Sequence, residues 1–452
     1  MIPLDQNNQF QHPSQQPHRG QNTGFESATS PDSGNMAPRR SFPAMIAPAV
    51  LILLSTAVLL LFGIAGVGRG KSVFGFDMQY LFVAGELWEH CQSPYNFDTF
   101  KSLMESSIHM RAVAFAYPPN SAPLAMALSL CPLQIAKALM AGLNFAALTC
   151  MAYFVFKAAG NSLCVGEEGG TRTRTLYAAI SVALLLASPF TTHVMWMGQT
   201  TLLAAAPILL SWMFAAQRRD LLAGFFLGLA AFKPQLAFLF GLWFLLDRRW
   251  RLLATAALTA VALSVWPMLT TGLEGSWIEW LTALQNYQNG SSNIIKFRDV
   301  FGIRSMLAVM GLRVPSLSLL AVIAVVLLYI LRKRLDVLWL PGAIFSISAL
   351  FIYAHDYDLA NVSLLAFPLI VATRGNWFVR AGLIIMMVVL FFPQRAWESV
   401  HIGFIARSRE LALLAILAVY IVMCRRNTST SRESAALQGE SVPFEEPLQK
   451  QV

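Results

Sequence analysis

The sequence predicts an all-α, polytopic transmembrane helical bundle, and three observations carry that expectation. Of 452 residues, 56% are hydrophobic and 13% charged, against about 25% charged in soluble domains. Apolar runs of about 16–25 residues recur between residues 43 and 424, and about 20 apolar residues cross a hydrocarbon core roughly 30 Å thick. Basic residues occur in short clusters between those runs. That is the pattern that orients spans, so the formal charge of +9 does not point to nucleic acid as a partner. The five cysteines, Cys91, Cys131, Cys150, Cys164 and Cys424, show no CxxC spacing for zinc or redox chemistry.

Residues 1–42 are rich in Gln, Asn, Pro and Ser and are expected to form a disordered cytoplasmic tail, because they cannot bury enough apolar surface to offset chain entropy. Residues 425–452 read the same way, leaving 43–424 as the transmembrane domain. Arg39 and Arg40 precede the first run, so the first span, 43–66, leads outward and the loop 67–117 is external. The span 133–157 returns the chain to Lys157, Arg172 and Arg174. Spans 176–192 and 199–216 then lead out and back to Arg218 and Arg219. The segment LLAGFFLGLAAFKPQLAFLFGLWFLL follows and ends at Arg248, Arg249 and Arg251. Both of its ends read as cytoplasmic, which predicts a broken pair of half-helices meeting at Lys233-Pro234.

The alternation continues with a span at 252–270 and an external loop at 271–316. A span at 317–331 reaches Arg332-Lys333-Arg334, another at 336–354 exits at His355, and a third at 358–373 returns to Arg374. Spans 378–393 and 410–424 complete the bundle. The total is roughly ten full crossings plus the broken pair, with both termini inside. APLAMALSLCPL (122–133) is too short to cross, and 77–95 reads as an amphipathic helix lying on the external membrane surface.

This topology gathers Asp77, Glu86, Tyr117, His193, Gln199, Lys296, Arg298, His355, Asp356, Asp358 and Arg395 at the outer side. Alone, Asp77 could be a hydrated loop acid. It sits, however, in VFGFDMQYLFVAG among Phe74, Phe76 and Tyr80. Lys233 lies inside an apolar segment, where a charge costs at least about 2.5 kcal/mol and is functional or paired. An acid, or the carbonyls freed beside Pro234, could serve as that pair.

Ordered along the chain, DMQYLFVAGELWEHCQSPY, FAYPPNSAPL, MGQTTLL, AGFFLGLAAFKPQ followed by DRRWR, and YAHDYDLANVSLLAFP resemble glycosyltransferase family 87. That is a group of multi-spanning C-superfamily enzymes including polyprenol-phosphate-mannose-dependent α-mannosyltransferases. Where the family often has Asn after Gly-Gln, this chain has Thr200-Thr201.

The resemblance implies transfer of a hexose, mannose being the best-known, from a polyprenyl-phosphate donor to a glycolipid or glycan acceptor. It places the reaction at the outer face of a bacterial inner membrane. Asp77 matches the family's catalytic acid, giving a general base for an inverting displacement. His355 matches the functional histidine and is expected at the donor phosphate, with Lys233 and Arg298 as further phosphate ligands. Tyr80, Tyr117, Gln199, Asp356 and Asp358 are expected around the sugar and acceptor, with Asp356 and Asp358 orienting His355 or, as the alternative, holding a metal. No His/carboxylate pair at helical metal spacing occurs, so neither a metal nor another cofactor is expected. The rival classes are a transporter or flippase of lipid-linked sugars and a non-catalytic relative. A transporter favours internal repeats and several intramembrane charges, and the sequence offers Lys233 as its one strong example.

Overall fold

Helix makes up nearly all regular structure in the computed structural model, which describes residues 43–70, 72–162, 170–290, 293–392, 397, 399, 405 and 407–424. The expected tails, 1–42 and 425–452, and Arg395 lie outside the described residues. The exception to helix is a short antiparallel pair, Val300–Phe301 with Ala354–His355, in which Val300 faces His355.

Among the described residues, two helices are long and apolar enough to cross a membrane by themselves, Ile46–Ile64 and Leu133–Asn161. The number rises to four if two bent pairs each count as one span: Thr171–Ala187 with Pro189–Met197, bent by 46°, and Trp250–Leu263 with Val265–Gln288, bent by 64°. Large apolar side chains such as Leu53, Leu54, Leu258, Leu319, Ile330 and Ile385 face outward, as a lipid-facing surface requires. The chain is thus a helical membrane protein, but helix length does not carry the expected count of roughly ten full crossings.

The expected span 358–373 shows why regular helix length alone does not carry the count. It begins as a 3₁₀ helix, Asp356–Leu365, and continues as the α-helix Ala366–Ala372. Tyr357–Leu365 are all buried, so protein rather than lipid surrounds this irregular backbone, the condition under which such geometry is tolerated at membrane depth. Apolar composition therefore continues where regular helix does not.

The segment around Lys233-Pro234 breaks as the sequence predicts. Asp220–Ala230 and Pro234–Leu246 are separate helices, with Lys233 in the N-terminal flanking position of the second and Pro234 as its first residue, where a missing N–H costs nothing. Arg249 closes the hairpin at its open end. Its guanidinium binds Asp220 at 2.5 Å, the carbonyl of Ala215 at 2.6 Å and Asp247 at 3.3 Å. One side chain thus gathers the end of Thr201–Ala216 and both feet of the hairpin, supporting the inference that the segment returns to the side it started from.

Gly224 and Gly228 of the first half-helix lie against Trp250–Leu263. A Cβ on Gly224 would stand 2.4 Å from the Leu252 carbonyl oxygen, and one on Gly228 would stand 2.6 Å from that of Ala256. This is the small-xxx-small contact that lets two helix backbones approach. Gly224→Ala is expected to lower stability by about 1–3 kcal/mol, read as the thermal midpoint in detergent. Gly241→Ala, where a Cβ meets nothing within 4 Å, serves as the neutral control.

The helix expected on the membrane surface, Met78–Glu89, is instead covered by protein. Met78–Gly85, Leu87 and Trp88 are all buried, and Trp88, Tyr95, Phe100 and Phe115 pack as an aromatic core beneath it. The segment is therefore a fixed wall, and the acid at its start has a defined position.

Candidate active site

Asp77 owes its position to backbone pairing. The helix Pro189–Met197 ends at Gly198, which adopts a left-handed φ of 66°, and a Cβ there would approach that of Met78 to 2.8 Å. The carbonyls freed at this helix end accept from the preceding loop: Gly75 N–H bonds Trp196 O and Asp77 N–H bonds Met197 O, both at 2.8 Å. Asp77 itself occupies the cap position of Met78–Glu89, yet its side chain makes no cap hydrogen bond. The carboxylate turns instead to Gln199, whose Nε2 donates to Asp77 Oδ2.

From Gln199 the contacts continue inward. Tyr117 donates its hydroxyl to Gln199 Oε1 at 3.2 Å and accepts from Thr200 Oγ1 at 3.1 Å. The next residue, Thr201, donates to Asp358 Oδ1 at 2.8 Å. Lys233 Nζ reaches the same oxygen at 2.6 Å and also donates to Thr201 Oγ1. Asp358 Oδ2 accepts the His355 N–H at 3.2 Å. The buried lysine therefore has an acid as its partner, the paired alternative left open by sequence, and its Nζ also lies 4.9 Å from the Tyr357 ring centroid.

His355 sits in an aromatic box. It stacks on Tyr357 with centroids 5.1 Å apart, and its Nε2 lies 3.3 Å from both the Tyr287 and Tyr353 hydroxyls. The imidazole also accepts from the backbone N–H of Asp358 in a reciprocal cap. With Nε2 facing the tyrosines, the other ring nitrogen is that acceptor, so the neutral ring carries its proton on Nε2. Burial lowers the His355 pKa from the ordinary imidazole value, against the opposing charges of Asp358 and Asp356. Asp77 moves the other way: desolvation raises it to about 6, although the Gln199 hydrogen bond and the charges of His193 and Lys233 favour its ionised form.

Asp356 and Asp358 stand in acid-x-acid spacing but diverge. Asp358 turns to Lys233, whereas Asp356 Oδ1 lies 3.6 Å from His193 Nδ1. Among the described residues no group of three or more His, Cys, Asp or Glu converges as a metal site would require. Tyr80 is buried nearby and donates its hydroxyl to the Arg111 carbonyl at 3.0 Å.

Arg298 stands two residues before Val300, the strand partner of His355. Its guanidinium is partly exposed, 3.5 Å from Asp299 and over Phe297, and is not drawn into the network of Asp77, Lys233 and His355. Arg407 fixes this edge by donating to the carbonyls of Phe297, Arg298 and Val300.

Asp77, Tyr117, Gln199, Lys233, His355 and Asp358 thus share one connected neighbourhood. Sequence reasoning passed over Thr200, Thr201, Tyr287, Tyr353 and Tyr357. The interleaving of Tyr353 and Tyr357 with His355 and two acids in YAHDYD was a usable signal. Tyr287, in a different helix, offered none.

Among curated proteins none matches this chain. The model of glycosyltransferase family 87 matches residues 115–354, just over half of the sequence. The matched stretch contains Tyr117, Gln199, Lys233 and Arg298 and stops one residue short of His355. Asp77 lies before it and joins the matched part through its bond to Gln199. With the fold helical and the match this long, the chain belongs to glycosyltransferase family 87 and is by that membership a glycosyltransferase.

Proposed function

We propose that this protein transfers a hexose, with mannose the favoured sugar, from a polyprenyl-phosphate donor to a hydroxyl of a glycolipid or glycan acceptor, at the outer face of a bacterial inner membrane. The observation that carries this reading is the adjacency of an acid of raised pKa, Asp77, to a second cluster holding Lys233 and His355. The two meet through the neighbouring residues Thr200 and Thr201.

In the proposed step Asp77 takes the proton of the acceptor hydroxyl as its oxygen attacks the anomeric carbon. The bond from that carbon to the phosphate oxygen breaks, the electron pair leaves with the phosphate, and the anomeric configuration inverts. A carboxylate with a pKa near 6 is a stronger base than an ordinary one and is still ionised at neutral pH.

The leaving phosphate gathers negative charge and needs donors. His355 contributes Nε2–H. Lys233 has three ammonium hydrogens, of which Asp358 and Thr201 engage two, leaving one for the phosphate. Arg298, partly exposed at the adjoining edge, is the further phosphate ligand in this reading. Tyr80 and Tyr117 contribute aromatic walls. Asp356 and Asp358 act through His193 and Lys233, which also underlies the proposal that no metal is used.

The test is reconstitution of the purified protein in sealed vesicles. Polyprenyl-phosphate hexoses are compared with nucleotide sugars, and acceptor glycolipid is present on one leaflet at a time. The expected result is a lipid product one hexose heavier and of inverted configuration, formed with the polyprenyl donor, insensitive to chelator, and dependent on the outer leaflet. Transfer from nucleotide sugars alone would overturn the donor assignment.

A further inference from the structure

Gln199 holds both ends of its side-chain amide in defined partners, and the directions of those bonds can be worked out. Its Oε1 receives the Tyr117 hydroxyl at 3.2 Å and faces the Thr200 N–H at 3.4 Å. A backbone N–H can only donate, so the oxygen must be on this side and the NH₂ on the side of Asp77. Tyr117 has one hydroxyl hydrogen, which it gives to Gln199, and it accepts from Thr200 Oγ1. Every bond in the series Thr200, Tyr117, Gln199, Asp77 therefore donates toward the acid, an arrangement in which each bond polarises the next.

The members are themselves fixed. Asn144 donates to the Gln199 carbonyl at 3.1 Å, Gln199 N–H bonds Val194 O at 3.0 Å, and Tyr95 donates to the Tyr117 carbonyl at 2.8 Å.

We propose that Gln199, Tyr117 and Thr200 are positioning residues that hold Asp77 Oδ2 and aim Oδ1 at the acceptor hydroxyl. The proposal rests on the reading of Asp77 as the general base, and it gives Gln199 and Tyr117 a task other than gripping the sugar. Among the described residues Oδ2 is the oxygen that is held, and no hydrogen bond reaches Oδ1. The two oxygens of one carboxylate are thereby made unequal, one fixed by an amide and one left for the proton.

Other groups bear on Asp77 as well. They are His193 from the Pro189–Met197 helix, Lys233 from the hairpin break, Tyr80 on its own helix, and Tyr117, Tyr287 and Tyr357 across the site, with Asp358 beyond Tyr117. Gln199 touches Asp77 directly and carries no charge. Its removal therefore changes the hydrogen bond without adding or deleting an ion.

The experiment measures kcat, KM and the pH dependence of transfer for Gln199→Met, Tyr117→Phe and Asp77→Asn, each with its thermal midpoint. Loss of a donor to the ionised acid raises its pKa. Gln199→Met is expected to move the acid limb up by about one pH unit and lower kcat about tenfold, with KM nearly unchanged. Tyr117→Phe, which keeps the ring and is the milder change, is expected to move the limb the same way by less. A raised KM with the limb unmoved in both variants would overturn the positioning role and assign these residues to substrate. If Asp77→Asn keeps full transfer, the underlying reading of Asp77 fails instead.

Discussion

Asp77→Asn and Asp77→Ala are each expected to lower sugar transfer by about 10²- to 10⁴-fold, the contribution of a positioned general base. Asn keeps the shape and can still contact Gln199, so its loss of activity would isolate proton acceptance from packing. The wild-type rate should also depend on pH with a defined sign. Asp77 has its pKa raised to about 6 by desolvation. Below that value the carboxyl is protonated and cannot accept, so the rate should fall about tenfold per pH unit, and above it the rate should level off. An initial-rate profile with polyprenyl-phosphate hexose, together with product mass spectrometry of the Asn variant, checks both. Full transfer by both variants would remove Asp77 from the chemistry.

The second large effect concerns Lys233. Lys233→Met leaves Asp358, of which 3% is exposed, without its cation. Breaking one partner of a buried pair costs about 3–5 kcal/mol, so the thermal midpoint should drop sharply. Adding Asp358→Asn removes the stranded charge and should restore much of that stability, because replacing both members of such a pair is often close to neutral. Activity separates the two roles of the lysine. If its third hydrogen serves the leaving phosphate, the double variant is stable but still slow. Recovery of transfer along with stability would make Lys233 a purely structural partner of Asp358.

How much of this was legible in the sequence differs from element to element. The hairpin break was readable because Pro234 cannot continue a helix and the basic residues at both ends imposed a return. Lys233 was readable as a charge needing a reason. Its partner was not, since Asp358 is far along the chain and nothing local links the two. Asp77 could be picked out by its aromatic neighbours, but its hold on Gln199 depends on loop residues 75–77 pairing with the end of another helix. Gln199 read as a generic polar residue near a sugar. Only with its neighbours in place does it become an amide with both ends occupied.

Helix length supports only part of the span count, for a related reason. Hydropathy reports which residues avoid water and does not report whether lipid or protein replaces it. The 3₁₀ stretch Asp356–Leu365 satisfies the first condition and is surrounded by protein.

The Arg249 clamp has a consequence for where chemistry can take place. It pins both feet of the hairpin, so the lengths of its two arms alone determine how far the tip reaches. Those arms have 11 and 13 residues; at 1.5 Å per residue each is about 16–20 Å long, well short of a hydrocarbon core roughly 30 Å thick. In the proposed topology, with both feet at the cytoplasmic side, the hairpin acts as a depth gauge that holds Lys233 below the level of the opposite headgroups. In that reading the donor's lipid tail brings the phosphate and its sugar to the protein from the membrane side. Bulk water has to descend to that depth, and the difference in access favours transfer to an alcohol over loss of the sugar to hydrolysis.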